Sequence, residues 1–101
     1  MPTVFVLSKL RPGVDPKKYE KWVQEYDYPT SKKLKSIIHY RAYKVKGALE
    51  GEPEYSYIEH IYVTDIEEYK KDLSTSVAKE LLKQWSSFIG EAKVLFTEVI
   101  E

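Results

Sequence analysis

Glu59 interrupts the run Tyr57-Ile58-Glu59-His60-Ile61-Tyr62-Val63, which alternates as a strand and places large side chains on both of its faces. A carboxylate in the middle of such a strand must be hydrogen-bonded, paired or protonated, because an isolated buried charge is too costly to keep. A carboxyl whose pKa is raised by burial suits proton transfer as general acid or base, which makes Glu59 the first catalytic candidate. Its bland alternative is a structural pair with Arg41 or a neighbouring tyrosine. His39 is the second proton-transfer candidate, since imidazole is the side chain most easily used near neutral pH, although a lone strand histidine is more often packed or solvated. His39, Arg41 and Tyr43 share one face of a second strand. Facing the helices, Arg41 would orient an acidic or carbonyl group through its forked donors; facing away, the stripe would be an interface network. Asp27 and Tyr28 precede Pro29 at the expected end of a helix, a place where a loop can carry function or where proline merely shapes the end.

These side chains sit in a chain rich in rings: nine tyrosines, three phenylalanines and two tryptophans among 101 residues. Such a composition fits a pocket for a flat organic molecule, and ordinary packing explains much of it as well. Trp22, Tyr26, Tyr57 and Trp85 are the aromatic candidates for substrate binding. Sixteen basic residues balance sixteen acidic ones and the signs are interspersed, which argues against nucleic acid or an anionic membrane as partner. No cysteine is present, so disulfides, thiolate metal sites and thiol nucleophiles are excluded together. The histidine and acid spacing suits no zinc site, and no phosphate loop, dinucleotide fingerprint or nucleophile elbow occurs; no metal and no cofactor is expected. The longest apolar runs are far below a membrane span, and a soluble cytoplasmic protein, folded as one domain over residues 1–101, is the expectation.

Thr3 to Leu10 is a first strand, ended by Arg11-Pro12-Gly13; Asp15 caps a helix that begins at Pro16 and carries the stripe Tyr19, Trp22, Val23, Tyr26. Pro29 is expected to break it near Asp27-Tyr28, with a short helical turn over Thr30 to Lys35. A second strand covers Ser36 to Val45, with Ile37, His39, Arg41, Tyr43 and Val45 opposite Ile38, Tyr40, Ala42 and Lys44. A Gly- and Pro-bearing loop leads to the third strand, Tyr55 to Val63. Thr64-Asp65 caps a helix from Ile66 to Leu73, Ser74 or Thr75 restarts one that Gly90 ends, and Glu91 to Ile100 is the last strand.

The order βαββαβ predicts an α+β, ferredoxin-like arrangement: a four-stranded antiparallel sheet with helices on one face. The other face would expose Phe5, Leu7, Ile58 and Tyr62, and a second copy of the chain is the simplest cover, giving a homodimer.

That succession resembles the dimeric α+β barrel superfamily over the whole chain, through Lys9-Leu10-Arg11-Pro12-Gly13 and Glu59-His60-Ile61-Tyr62-Val63-Thr64-Asp65-Ile66-Glu67-Glu68-Tyr69. The finer pattern is similar to the REDY-like proteins of prodiginine pigment biosynthesis. Its residues are Val4 to Leu10, Asp27-Tyr28-Pro29-Thr30, Tyr40-Arg41, Tyr57-Ile58-Glu59, Tyr69 to Leu73 and Trp85-Ser86-Ser87-Phe88. The resemblance implies a small homodimer that acts on or holds a pyrrolic precursor between helices and sheet. It also implies, by the superfamily's strand parity, that Tyr57, Glu59 and Ile61 face the helices with Val4, Val6 and Ser8, and that Trp22 and Tyr26 close over them. Cofactor-free cyclases and monooxygenases of the superfamily often place a histidine after the third strand; Asp72, Leu73, Ser74 and Thr75 stand there instead, which puts a histidine-based mechanism and haem ligation in doubt.

Two functions of different class follow. One is a cofactor-independent enzyme that condenses, cyclises or isomerises a planar pyrrolic or aromatic intermediate, with Glu59 and His39 moving protons and Trp22, Tyr26, Asp27, Arg41, Tyr57 and Trp85 binding. The other is a carrier that holds such a molecule without chemistry. A purely structural dimerisation domain is a third reading.

Overall fold

The computed structural model describes residues 2–101. Its elements run β1 (Thr3–Leu10), α1 (Pro16–Trp22), a π-helical turn (Val23–Asp27), α2 (Tyr28–Ser31), β2 (Ile37–Lys44), β3 (Tyr57–Val63), α3 (Ile66–Asp72), α4 (Ser76–Phe88) and β4 (Ile89–Thr97). The four strands form one antiparallel sheet in the order β2-β3-β1-β4, the ferredoxin-like arrangement read from the sequence.

The local causes are ordinary. Gly13, at φ +85°, takes the left-handed turn after β1 that a side chain would resist, and the Asp15 carboxylate accepts from the Lys17 amide to open α1. Asp65 and Thr75 cap α3 and α4 in the same way, through the amides of Glu68 and Ala78. The far end of α4 is closed by Arg11, whose Nε donates to the carbonyls of Ser86 and Ile89. Gly90 is thus the second residue of β4 rather than a helix terminator.

Strict alternation governs the two central strands. Val4, Val6 and Ser8 of β1 and Tyr57, Glu59, Ile61 and Val63 of β3 are buried beneath the helices. Val4, Val6, Ile61, Val63 and Tyr69 make one apolar cluster; Tyr19, Val23, Tyr57 and Ile89 make another. The opposite face carries Phe5, Leu7, Ile58, His60 and Tyr62, with Phe5 stacked on the His60 ring at 5.3 Å, and no helix covers it.

Two elements depart from the sequence reading. Pro29 does not break the helix. The chain widens instead into a π turn, in which the Tyr28 amide donates to the Val23 carbonyl five residues back, and α2 continues with Pro29 in its first turn. A wide turn relieves the clash between a proline ring and the carbonyl four residues earlier that would break a regular helix. It also rotates the buried face: Tyr19, Val23, Asp27 and Ser31 point inward, and Tyr26 is half-exposed on the flank. The second departure is in β2, where the ladder with β3 slips between Ile37 and His39. Ile38 bulges out, so Ile37 and Tyr40 both pack on the core although simple alternation puts them on opposite faces.

Candidate active site: a buried carboxyl pair under an apolar cavity

The wide turn delivers Asp27 and the bulge delivers Tyr40 to the same place, above Glu59 on the central strand β3. Asp27 is 3% exposed and Glu59 6%. The Tyr40 hydroxyl bonds both carboxyls, Asp27 Oδ2 at 2.5 Å and Glu59 Oε1 more closely, and Ser31 Oγ donates to Asp27 Oδ1 at 3.2 Å. A phenol has one proton and can donate to only one of two carboxylates. One carboxyl must therefore bring a proton of its own.

Burial identifies which. Desolvation, reinforced by the negative charge of Asp27, pushes Glu59 up to about 8 against the hydrogen bond from Tyr40. Desolvation raises Asp27 to about 6, opposed by its bonds from Tyr40 and Ser31. At neutral pH the trio reads as a chain: the Glu59 acid donates to Tyr40 Oη, and Tyr40 donates to the Asp27 carboxylate. Burial and the two flanking carboxyls hold the Tyr40 phenol far above its ordinary range. Coupled groups of this kind titrate as a unit.

The trio forms one wall of a cavity of about 220 Å³ between sheet and helices. The remaining lining is almost wholly apolar, Val6, Ile61, Leu73, Leu81 and Trp85 among it. Leu82 and Val94, 38% and 51% exposed, mark an opening beside β4. Tyr69, raised to about 12 by burial and then by the Glu59 and Asp27 charges, also lines it. Tyr19 Oη, Ser8 Oγ and the indole nitrogen of Trp85 are buried without a hydrogen-bond partner.

Of the residues singled out from sequence, the fold brings Glu59, Asp27 and Trp85 to this cavity. It parts the others from it. His39 and Arg41 lie on the opposite face of β2, exposed, with Arg41 Nε donating to His39 Nε2 at 3.4 Å, because the Ile38 bulge sets the even-numbered side chains inward. Arg41 is accordingly not the partner of Glu59. Tyr57 points along the sheet to a separate cluster and donates to Glu20 Oε2 at 2.7 Å, while Glu20 also pairs with Lys44 at 3.2 Å. Trp22 donates through Nε1 to Gln84 Oε1 at 2.8 Å and stacks on Tyr19 and Tyr26, so neither Trp22 nor Tyr26 closes over Glu59. Asp72, where a histidine was sought, accepts from the Ser36 amide at 2.8 Å and anchors the start of β2.

Tyr40, Ser31 and Tyr69 line the cavity as well and are not marked out by the sequence pattern. Asp27 and Ser31 are four apart, the spacing of side-chain pairs on one helix face, and that signal was available once the helix was allowed to pass Pro29. Among the described residues no cluster of three potential metal ligands occurs, and no helix is long and apolar enough to cross a membrane.

Comparison with known proteins agrees with this architecture. The family model of the REDY-like protein HapK matches residues 2–100. The crystal structure of HapK from Hahella chejuensis is similar at a TM-score of 0.85 and 27% identity, covering 99% of this chain and 93% of that one. A hydroxynitrile lyase from Passiflora edulis shares the fold at a TM-score of 0.81 and 11% identity, over 99% of this chain and 94% of its own. A dimeric ferredoxin-like protein of unknown function from Thermobifida fusca does so at 0.75 and 10%, over 97% and 90%. Among curated proteins no sequence matches significantly. With a model match across essentially its whole length and the same fold, the chain belongs to the REDY-like HapK family.

Proposed function

We propose that this protein is a cofactor-independent acid–base catalyst that binds a small planar molecule, pyrrolic or otherwise aromatic, of a prodiginine-like pigment pathway. The observation that carries the reading is the Asp27–Tyr40–Glu59 chain in the wall of an apolar cavity. A protonated Glu59 and an ionised Asp27 joined through one phenol form a proton donor and a proton acceptor in contact. Glu59, pushed up to about 8, gives its proton to a ring or carbonyl atom of the substrate; the Asp27 carboxylate takes the proton that the substrate releases, and relay through the Tyr40 hydroxyl returns it to Glu59. The cavity is smaller than the about 300–1,000 Å³ of drug-sized sites, which suits one or two small rings. A hydroxynitrile lyase on the same fold is consistent with small-molecule chemistry in this architecture.

Acid-catalysed exchange of pyrrole ring hydrogens for deuterium gives a direct test. With 2,2′-bipyrrole, the native protein accelerates exchange, and Glu59→Gln lowers the acceleration by about 100-fold or more while quenching of Trp85 fluorescence still reports binding. Binding with no acceleration in either protein would sink the catalytic role. It would leave the carrier reading.

The uncovered sheet face supports a homodimer. Phe5, Leu7, Ile58 and Tyr62 lie on its two central strands and Leu95, 44% exposed, beside them. Light scattering at micromolar concentration should give twice the chain's mass, and Leu7→Glu should give one chain with the far-UV spectrum retained. A native protein that stays single at that concentration removes the proposal.

A further inference from the structure

A second concavity is larger than the one beside Glu59. A groove of about 430 Å³ runs along the free edge of the sheet, lined by Tyr28, Lys32, Ile37, Ile38, His39, Tyr40 and Arg41. Its walls are apolar or aromatic: Ile38 is 47% exposed, and the Tyr28 and Tyr40 rings meet edge to face at 5.2 Å. Its charge has one sign. Among the described residues no carboxylate lines it, and neither Lys32 nor Arg41 is in an ion pair. His39 takes the Nε of Arg41, which leaves the two terminal amino groups of the guanidinium for a planar anion.

A strand from another chain is a poor occupant. The Tyr28 hydroxyl accepts from the Ala42 amide at 2.9 Å and donates to the Ala42 carbonyl at 3.4 Å, so the outward backbone groups at Ala42 are already taken and a strand added along this edge would lose its bonds there. The bulge at Ile38 further breaks the edge geometry.

We propose that the β2-edge groove is a second binding site, for a small aromatic carboxylate, with its ring between Ile38 and the tyrosines and its carboxylate on Arg41 and Lys32. The site is distinct from the cavity beside Glu59, from which Ile37 and Tyr40 separate it as a shared wall. Isosteric probes separate charge from shape: 2-naphthoate and 2-naphthamide, titrated by calorimetry and by amide NMR shifts. The acid should bind about tenfold tighter than the amide, with shifts centred on Lys32, Ile38 and Arg41, and added salt should shrink the gap. Lys32→Gln with Arg41→Gln, both at exposed positions, should abolish the preference without altering the fold. Equal affinity, a preference that survives the double variant, absence of binding, or shifts centred on Leu81 and Trp85 instead would each overturn the site; the last would do so while leaving the inner cavity's role standing.

Discussion

Replacing Glu59 by Gln should make this protein more stable at pH 8.5 and leave it close to the native protein at pH 5. The folded chain holds the Glu59 proton up to about 8, whereas the unfolded chain releases it near the ordinary value of 4.5. Between those values the folded state binds more protons than the unfolded one, so unfolding releases a proton and rising pH favours it. Stability contributed by the protonated form is therefore whole below about pH 4.5 and declines steadily to about pH 8, where the loss is complete. Asp27, raised to about 6, adds a loss of the same sign over a lower window. Glutamine keeps the shape, offers an N–H to Tyr40 and has no proton to lose, so the upper part of the decline disappears. The gain at pH 8.5 should be on the order of 2–4 kcal/mol, or roughly 10 °C or more in Tm for a chain of this size. Urea unfolding of both proteins at pH 5, 7 and 8.5 measures it. A variant destabilised equally at all three values would mean that Glu59 is ionised in the fold and held by its partners, and the donor role would go with it.

Tyr40→Phe should be costly for the complementary reason. The phenol is the hydrogen-bond partner common to both carboxyls, and phenylalanine leaves the Glu59 acid and Asp27 Oδ2 without it inside an apolar wall. Orphaning two buried polar groups, one of them charged, costs about 3–5 kcal/mol, far above the small packing change. As the donor to Asp27 the phenol holds that carboxyl down, so its loss should move the Asp27 titration upward. Carbon-13 NMR of the side-chain carboxyls reads that shift independently of stability. A penalty under about 1 kcal/mol with an unmoved Asp27 titration would show that the three groups do not share their protons.

These effects rest on residues whose meeting is only partly written in the chain. The anomaly of Glu59 is legible by itself, because a carboxyl in a two-faced apolar strand violates the pattern around it, and the buried side of β1 and β3 follows from alternation. Fold class is legible for the same reason: period-2 and period-3.6 patterns, caps at Asp15, Asp65 and Thr75, and a turn at Gly13 are all local. The partners of Glu59 are not local. Proline at position 29 forbids a regular helix but does not say whether the chain stops or widens, and only the packing of Asp27 and Ser31 against the sheet selects the wide turn.

Likewise, the strand residues Ile37 to Lys44 alternate well enough to put His39 and Arg41 with Glu59 on paper. A single slip at Ile38 reverses every side chain before it relative to those after, sending Tyr40 inward and the histidine and arginine outward. Composition and periodicity thus determined the architecture and flagged one buried acid. The tertiary structure decided which groups share its proton, because a turn width and a strand register are settled by contacts between segments distant in sequence, where no nearby residue records the choice.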